Sequence, residues 1–107
     1  MLKRKYRLPA SAKLGKGETV SAKHFILKIA DSKLTYPRFA FVISKKVDSR
    51  AVVRNKIKRE MTNSIQKMID KVKPGKDILF ILKKSASQSI DQLPADIKSA
   101  FVEGDLR

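Results

Sequence analysis

Residues 44–60 of the chain read SKKVDSRAVVRNKIKRE. This stretch carries seven cationic side chains and a single acid, Asp48, before Glu60 closes it. The cations are Lys45, Lys46, Arg50, Arg54, Lys56, Lys58 and Arg59. The pattern predicts the end of a strand, a tight connection and the start of a long helix. A run of cations this dense indicates a binding partner that carries phosphate groups.

The apolar residues from position 53 onward recur at three- and four-residue steps, which predicts one buried stripe along the helix. They are Val53, Ile57, Met61, Ile65, Met68 and Val72. Asn55, Lys56 and Arg59 fall on the opposite side, and Arg54 and Lys58 lie at its flanks. Cations at a helix start oppose the helix dipole, so fold stability does not explain them. A solvated basic face is the plain alternative, but an amide amid the cations favours recognition of a ligand.

Composition predicts one globular domain over residues 1–107, because the chain is too short for two cores. The formal net charge of +15 is uneven: residues 1–59 hold 17 Lys and Arg against 3 acids, and residues 60–107 hold 8 against 7. A polyanion should therefore face the N-terminal half. There are no cysteines, which excludes disulfides and thiolate metal sites. No apolar run resembles a membrane span or a signal peptide, so we expect a cytoplasmic protein with no membrane partner.

The rest of the chain alternates between strand and helix patterns. Residues 1–19 read as a basic, mostly irregular arm with at most a turn of helix near 10–14. Residues 20–30 and 38–44 each predict a strand with one bulky apolar face, and we expect these two strands to be hairpin neighbours. The other face would stay open as a shallow surface. Residues 78–82 predict a central strand, and residues 91–103 predict a helix that packs on the core.

A protein active site is not visible in the sequence. His24 is the only histidine and has no cysteine or nearby carboxylate partner in the sequence, so we interpret it as a strand-face residue or one that faces the polyanion. The acids are scattered singly, without metal-ligand spacing. Phe25, Phe39 and Phe41 could stack on bases if they lie on the open face, although aromatic residues at strand spacing commonly belong to a core.

The basic stretch resembles the signature of the bacterial ribonuclease P protein family. The hallmark of that family is an arginine-asparagine-arginine (or lysine) triplet followed by an apolar residue, lysine and arginine. Here Arg54, Asn55 and Lys56 match the triplet, and Ile57, Lys58 and Arg59 follow it. A looser similarity extends over residues 20–101.

The resemblance implies an α+β fold, an α/β sandwich with a small mixed sheet. The long basic helix would form a left-handed βαβ crossover, against the usual right-handed rule, and the C-terminal helix would pack on the sheet. It also implies the protein subunit of a ribonucleoprotein enzyme whose catalytic RNA subunit, with magnesium, removes the 5′ leader of precursor tRNA. The implied contacts to the catalytic RNA are Lys45, Lys46, Arg50, Arg54, Asn55, Lys56, Lys58 and Arg59. The implied contacts to the leader are Arg7, Phe25 and Lys28.

Two rival functions fit the same charge pattern. A ribosome-associated or general RNA-binding protein would depend on total charge, so Asn55→Ala would be nearly silent. An autonomous nuclease or a DNA-binding regulator would need an acid cluster or a helix-turn-helix pattern, and the sequence has neither. We therefore expect RNA rather than DNA as the partner.

Overall fold

The computed structural model describes residues 6–8 and 17–103. In this part of the chain, three strands are followed by an α-helix, a fourth strand and a second α-helix. The strands are β1 (Glu18–Ser21), β2 (Phe25–Asp31), β3 (Arg38–Val42) and β4 (Lys76–Leu82). The helices are α1 (Ala51–Met68) and α2 (Leu93–Glu103), and short 3₁₀ segments span Ile69–Lys71, Lys84–Gln88 and Ile90–Gln92. The predicted turn of helix near 10–14 lies outside the described residues.

The four strands form one mixed sheet in the order β1-β2-β4-β3. β2 runs antiparallel to β1 and β4, whereas β3 and β4 are parallel. Helix α1 therefore connects two parallel neighbours, which confirms the mixed sheet and the βαβ crossover. The left hand of that crossover stays a prediction.

The predicted pairing of the first two long strands is wrong, because β4 lies between β2 and β3. β4 is a nearly continuous apolar strand, and a central position covers both of its edges with hydrogen-bonded neighbours. The stretch 20–30 is also not one strand. The Ala22 N–H donates to the Phe25 carbonyl at 2.9 Å, so the chain reverses at 22–24 and β1 folds back on β2.

One face of the sheet packs against both helices to form the core. Leu27 of β2, Phe80 of β4 and Phe41 of β3 lie side by side in register, and Phe80 contacts Phe101 of α2 with ring centroids 6.1 Å apart. Ile57 of α1 is fully buried behind them. The C-terminal helix therefore packs on the sheet, as predicted. The α1 stripe is buried through Met68, and Val72 remains in the core after the helix has ended.

The opposite face of the sheet carries the smaller and more polar side chains. Lys28 is exposed there and pairs across the ladder with Thr19 and Leu79. Val42 at the end of β3 is 44% exposed. The N-terminal segment joins the sheet at β3, where the Leu8 N–H donates to the Phe39 carbonyl at 2.8 Å. This face is the shallow open surface that the strand patterns predict.

Candidate nucleic-acid interface

The connection from β3 to α1 begins with a turn that presents two lysines. The Val47 N–H donates to the Ser44 carbonyl at 3.0 Å, which closes a turn over Lys45 and Lys46. The Val47 side chain is buried in the core at 3% exposure and anchors the turn. Both lysines are exposed and point away from that anchor.

Asp48 organises the next part of the connection. Its Oδ1 accepts from the backbone N–H of Arg50 at 2.9 Å and from Arg50 Nε at 3.0 Å, and its Oδ2 accepts from Arg50 Nη2 at 3.0 Å. These side-chain and backbone hydrogen bonds from Arg50 lower the pKa of Asp48 from its ordinary value of 3.8 to about 2. The same carboxylate raises the pKa of Arg50. The carboxylate of the single acid in the basic stretch is therefore bound within the protein, by Arg50.

Arg54 is half-buried and is bound to the same connection. Its Nη1 donates to the carbonyls of Asp48 and Ser49, each at 2.9 Å. Those two bonds use both Nη1 hydrogens, so three of the five N–H donors of the guanidinium remain for an external phosphate. Arg54 therefore holds the connection against the first turn of α1, in addition to any contact it makes outside the protein.

A groove of about 600 Å³ runs between α1 and the edge strand β3. Strand residues form its floor, and polar side chains of the helix form one wall. Its lining consists of Arg7, Phe39, Ala40, Phe41, Asn55, Lys58, Arg59, Thr62 and Asn63. The structure thus brings Asn55, Lys58 and Arg59 together on one accessible surface. An amide and two cations beside a strand edge can bind a phosphate and hydrogen-bond the adjacent sugar or base.

The remaining predicted contacts to RNA lie around this groove. Lys56 is on the other flank of α1, beside a second groove of about 480 Å³ that also contacts Glu60, Gln88 and Asp91. Five predicted cations are exposed and make no hydrogen bond or ion pair with another described residue. They are Lys45, Lys46, Lys56, Lys58 and Arg59. These five cations have no counterion among the described residues, whereas Arg50 is paired with Asp48.

The residues predicted to contact a leader have separate locations. Phe25 is fully buried, with its ring centroid 5.3 Å from that of Phe80, so the prediction that it contacts RNA is wrong. It alternates toward the helices rather than toward the open face. Lys28 is exposed on that open face, and Arg7 is exposed at the groove. Phe39 is buried in the core, whereas Phe41 is half-buried: it packs against Phe80 and also lines the groove.

Sequence reasoning missed two contributors to this region. Thr62 lines the groove one turn after Lys58, a position that helical spacing could have identified. The structural role of Asp48 was also missed. An aspartate two residues before a helix N-cap commonly accepts the backbone N–H two positions on, and this signal could have identified it.

His24 is a buried structural residue and does not face an RNA surface. Its Nε2 lies 3.2 Å from Gln92 Oε1 and 3.6 Å from Asp96 Oδ2, and its Nδ1 lies 3.0 Å from the Ser85 hydroxyl. The fold thus brings a carboxylate to His24 that is remote from it in the sequence. The imidazole is 2% exposed and joins the β1–β2 turn to the segments before α2.

Within residues 6–8 and 17–103, no group of three or more potential ligands could hold a metal ion. None of the helices in those ranges is long and apolar enough to cross a membrane.

Comparison with known proteins identifies the family. A sequence model of the Ribonuclease P family matches residues 2–103. The ribonuclease P protein component of a Pseudanabaena species is 34% identical over 90 residues, which cover 82% of this chain and 78% of the relative. The chain belongs to the ribonuclease P protein family. The ribonuclease P protein component of Nostoc punctiforme is 42% identical over 52 residues, or 49% of this chain, and the match spans only 37% of that relative.

Solved structures of ribonuclease P proteins have the same fold. The protein from Staphylococcus aureus superposes with a TM-score of 0.78 at 24% identity, and the match covers 99% of this chain and 94% of that one. At this level of identity the similarity supports the α+β architecture alone.

Proposed function

We propose that this chain is the protein subunit of a bacterial-type ribonuclease P and binds its catalytic RNA through the first half of α1. The observation that carries the proposal is the shared groove of Asn55, Lys58 and Arg59. Each cation that neutralises a phosphate releases counterions, which provides affinity without sequence specificity. The Asn55 amide both donates and accepts, so it can discriminate a 2′-hydroxyl or base edge from a bare phosphate.

The helix start adds a second binding element beside these side chains. The N-cap residue, Arg50, provides no side-chain hydrogen bond to the first turn, and that turn contains no acid. Its backbone N–H groups and the positive end of the helix dipole favour an anion. Lys45 and Lys46 are exposed in the turn that precedes the helix. A folded RNA backbone could therefore contact the turn, the helix start and the groove in succession.

The precursor tRNA leader would follow the open face of the sheet. Lys28 provides a phosphate contact in the middle of that face, and Arg7 lies at the end of the groove where it meets β3. Leu79 lies opposite Lys28 on β4, and the acid at a diagonal position on the same face, Asp77, is already bound by Arg38. In this assignment, the protein positions the RNA and its substrate for endonucleolytic removal of the 5′ leader.

Hydrolysis is assigned to the RNA subunit, where magnesium, held mainly by RNA, supplies the activation of water. The contribution of the chain is electrostatic. Cations at the helix and on the sheet reduce the repulsion between two polyanions, the catalytic RNA and the precursor tRNA. This contribution should be largest at low magnesium, where the RNA has few other counterions.

Reconstitution tests the proposal. The protein is added to a bacterial catalytic RNA at low magnesium, and leader removal from precursor tRNA is measured. We expect strong stimulation by the protein, no cleavage by the protein alone, and a marked loss of stimulation in Lys58→Ala. Lys98→Ala removes the same charge from α2, outside the groove, and should retain stimulation. Absence of stimulation by the unsubstituted protein would overturn the proposal.

A further inference from the structure

We infer that Asp48 is a positioning residue for RNA binding: its carboxylate orients Arg50 and stabilises the start of α1, so removing this negative charge weakens binding of a polyanion. The inference rests on the proposed function. It runs against simple electrostatics, in which deleting an acid from a cationic surface strengthens the attraction for phosphate.

The exposure of the two side chains indicates that Asp48 positions Arg50, and not the reverse. The Asp48 side chain is 12% exposed, whereas that of Arg50 is 73% exposed. The carboxylate is thus covered by the connection, and the guanidinium lies outermost. An approaching phosphate meets Arg50 before it meets Asp48.

The hydrogen bonds define which edge of Arg50 faces outward. Asp48 occupies Nε and one hydrogen of Nη2, at 3.0 Å each. Both Nη1 hydrogens and the second Nη2 hydrogen remain, and together they form the fork that binds phosphate with two donors. Asp48 therefore fixes a long and otherwise flexible side chain with its binding edge exposed. Preorganising the side chain in this way reduces the conformational entropy lost on binding.

Asp48 also acts on the backbone that carries the rest of the surface. Its Oδ1 accepts the backbone N–H of Arg50, the N-cap residue, and its own carbonyl accepts from Arg54 Nη1 at 2.9 Å. Arg54 is thereby bound to the residue that orients Arg50. Two members of the predicted RNA surface depend on the conformation of this one aspartate.

Binding to the catalytic RNA tests the inference, with Glu60→Gln as the matched control. Glu60 is on α1, and its carboxylate makes no hydrogen bond or ion pair with another described residue. We expect Asp48→Ala to bind about five- to tenfold more weakly, since hydrogen bonds to charged groups are lost. Glu60→Gln should bind as tightly as the unsubstituted protein or more tightly. Asp48→Asn retains an oxygen that can accept the backbone N–H of Arg50. Its affinity for the RNA should therefore lie between that of Asp48→Ala and that of the unsubstituted protein.

The salt dependence separates positioning from a general loss of structure. Loss of the Arg50 contact should make the slope of log K against log salt shallower by about 0.7 to 0.9. Arg50→Ala should also weaken binding, and Asp48→Ala/Arg50→Ala should lose less than the sum of the two single losses, because both single variants lose the same Arg50 contact. Circular dichroism and amide NMR spectra verify that each variant is folded.

Two results would overturn the inference while leaving the proposed function in place. One is equal or tighter binding by Asp48→Ala, and the other is additive losses in the double variant. If the unsubstituted protein does not bind the catalytic RNA, the proposed function fails and this inference fails with it.

Discussion

At the scale of single residues, Asn55 is the position at which the proposed recognition of RNA can be separated from attraction by charge. It carries no charge, and it lines the groove together with Lys58 and Arg59. We expect Asn55→Ala to weaken binding to the catalytic RNA by about fivefold, as for the loss of one hydrogen bond of about 1 kcal/mol. The measurement is a binding titration at fixed salt, with Ser99→Ala at an exposed position of α2, outside both grooves, as a control that should be silent. An unchanged affinity in Asn55→Ala would favour a general RNA-binding protein.

Asp48 provides a prediction on pH. Its pKa is lowered to about 2 by hydrogen bonds from Arg50, so the folded state favours the charged form. The contribution of this carboxylate to stability is therefore fully present above its ordinary pKa and is lost as the pH falls through about 2. An NMR titration of the Asp48 carboxyl carbon should give a midpoint well below 3.8, and the Arg50 amide signal should shift with it. A midpoint near the ordinary value would mean that the pair does not form in solution.

The residue types and their spacing predicted which side chains of α1 lie on its exposed side, whereas their contacts with RNA stay a prediction. The period of the apolar stripe correctly placed Asn55 and Arg59 away from the core. Composition could not reveal that Arg50 and Arg54 already bind the connection, since internal hydrogen bonds depend on the backbone conformation of residues 48–50. Phe25 shows the same limit, because strand alternation defines two faces without indicating which one the helices cover.

At the scale of elements, the sheet is held at one end by an ion pair between its two parallel strands. Arg38 of β3 donates from Nε and Nη2 to the two carboxylate oxygens of Asp77 of β4, at 2.8 and 2.7 Å. The Asp77 side chain is 11% exposed. This hydrogen-bonded contact raises the pKa of Arg38, against the smaller opposing effect of burial. The pair fixes the register at the start of both strands.

We expect Asp77→Asn to lower the free energy of unfolding by about 2 kcal/mol, since it leaves a partly buried guanidinium without its counterion. Asp31→Asn is the matched control. Asp31 pairs with Lys76 at the neighbouring strand, but its side chain is 85% exposed, so the loss should be under about 0.5 kcal/mol. Urea denaturation of both variants provides the measurement. Equal losses would show that burial does not set the strength of these pairs.

The sequence predicted the elements better than it predicted how they pair. Apolar periods identified β2, β3, β4 and both helices, because each period follows from the local geometry of one element. Which strands become neighbours depends on competition between strands that are far apart in the sequence. β4 is the last strand along the chain, yet it lies between β2 and β3, and its residues 78–82 form the longest unbroken apolar run among the four strands.

At the scale of the whole molecule, charge and core are separated along α1. Its buried stripe is part of the core, while its exposed side carries the cations that lack internal partners. Because the core holds the helix rigidly, these cations keep a fixed spacing relative to β3 and the groove. Because the helix backbone is already fixed by the core, only the exposed side chains have to be ordered when a folded RNA binds.

The affinity of charge-matched variants for the catalytic RNA tests this account most directly. Lys58→Ala/Arg59→Ala removes two cations from the groove, and Lys71→Ala/Lys98→Ala removes two exposed cations from elsewhere. We predict at least about tenfold weaker binding for the groove pair, with a salt slope shallower by about 1.4 to 1.8. The control pair should remain within about twofold of the unsubstituted protein. Equal losses and equal slopes for the two pairs would contradict the account, because only total charge would then matter.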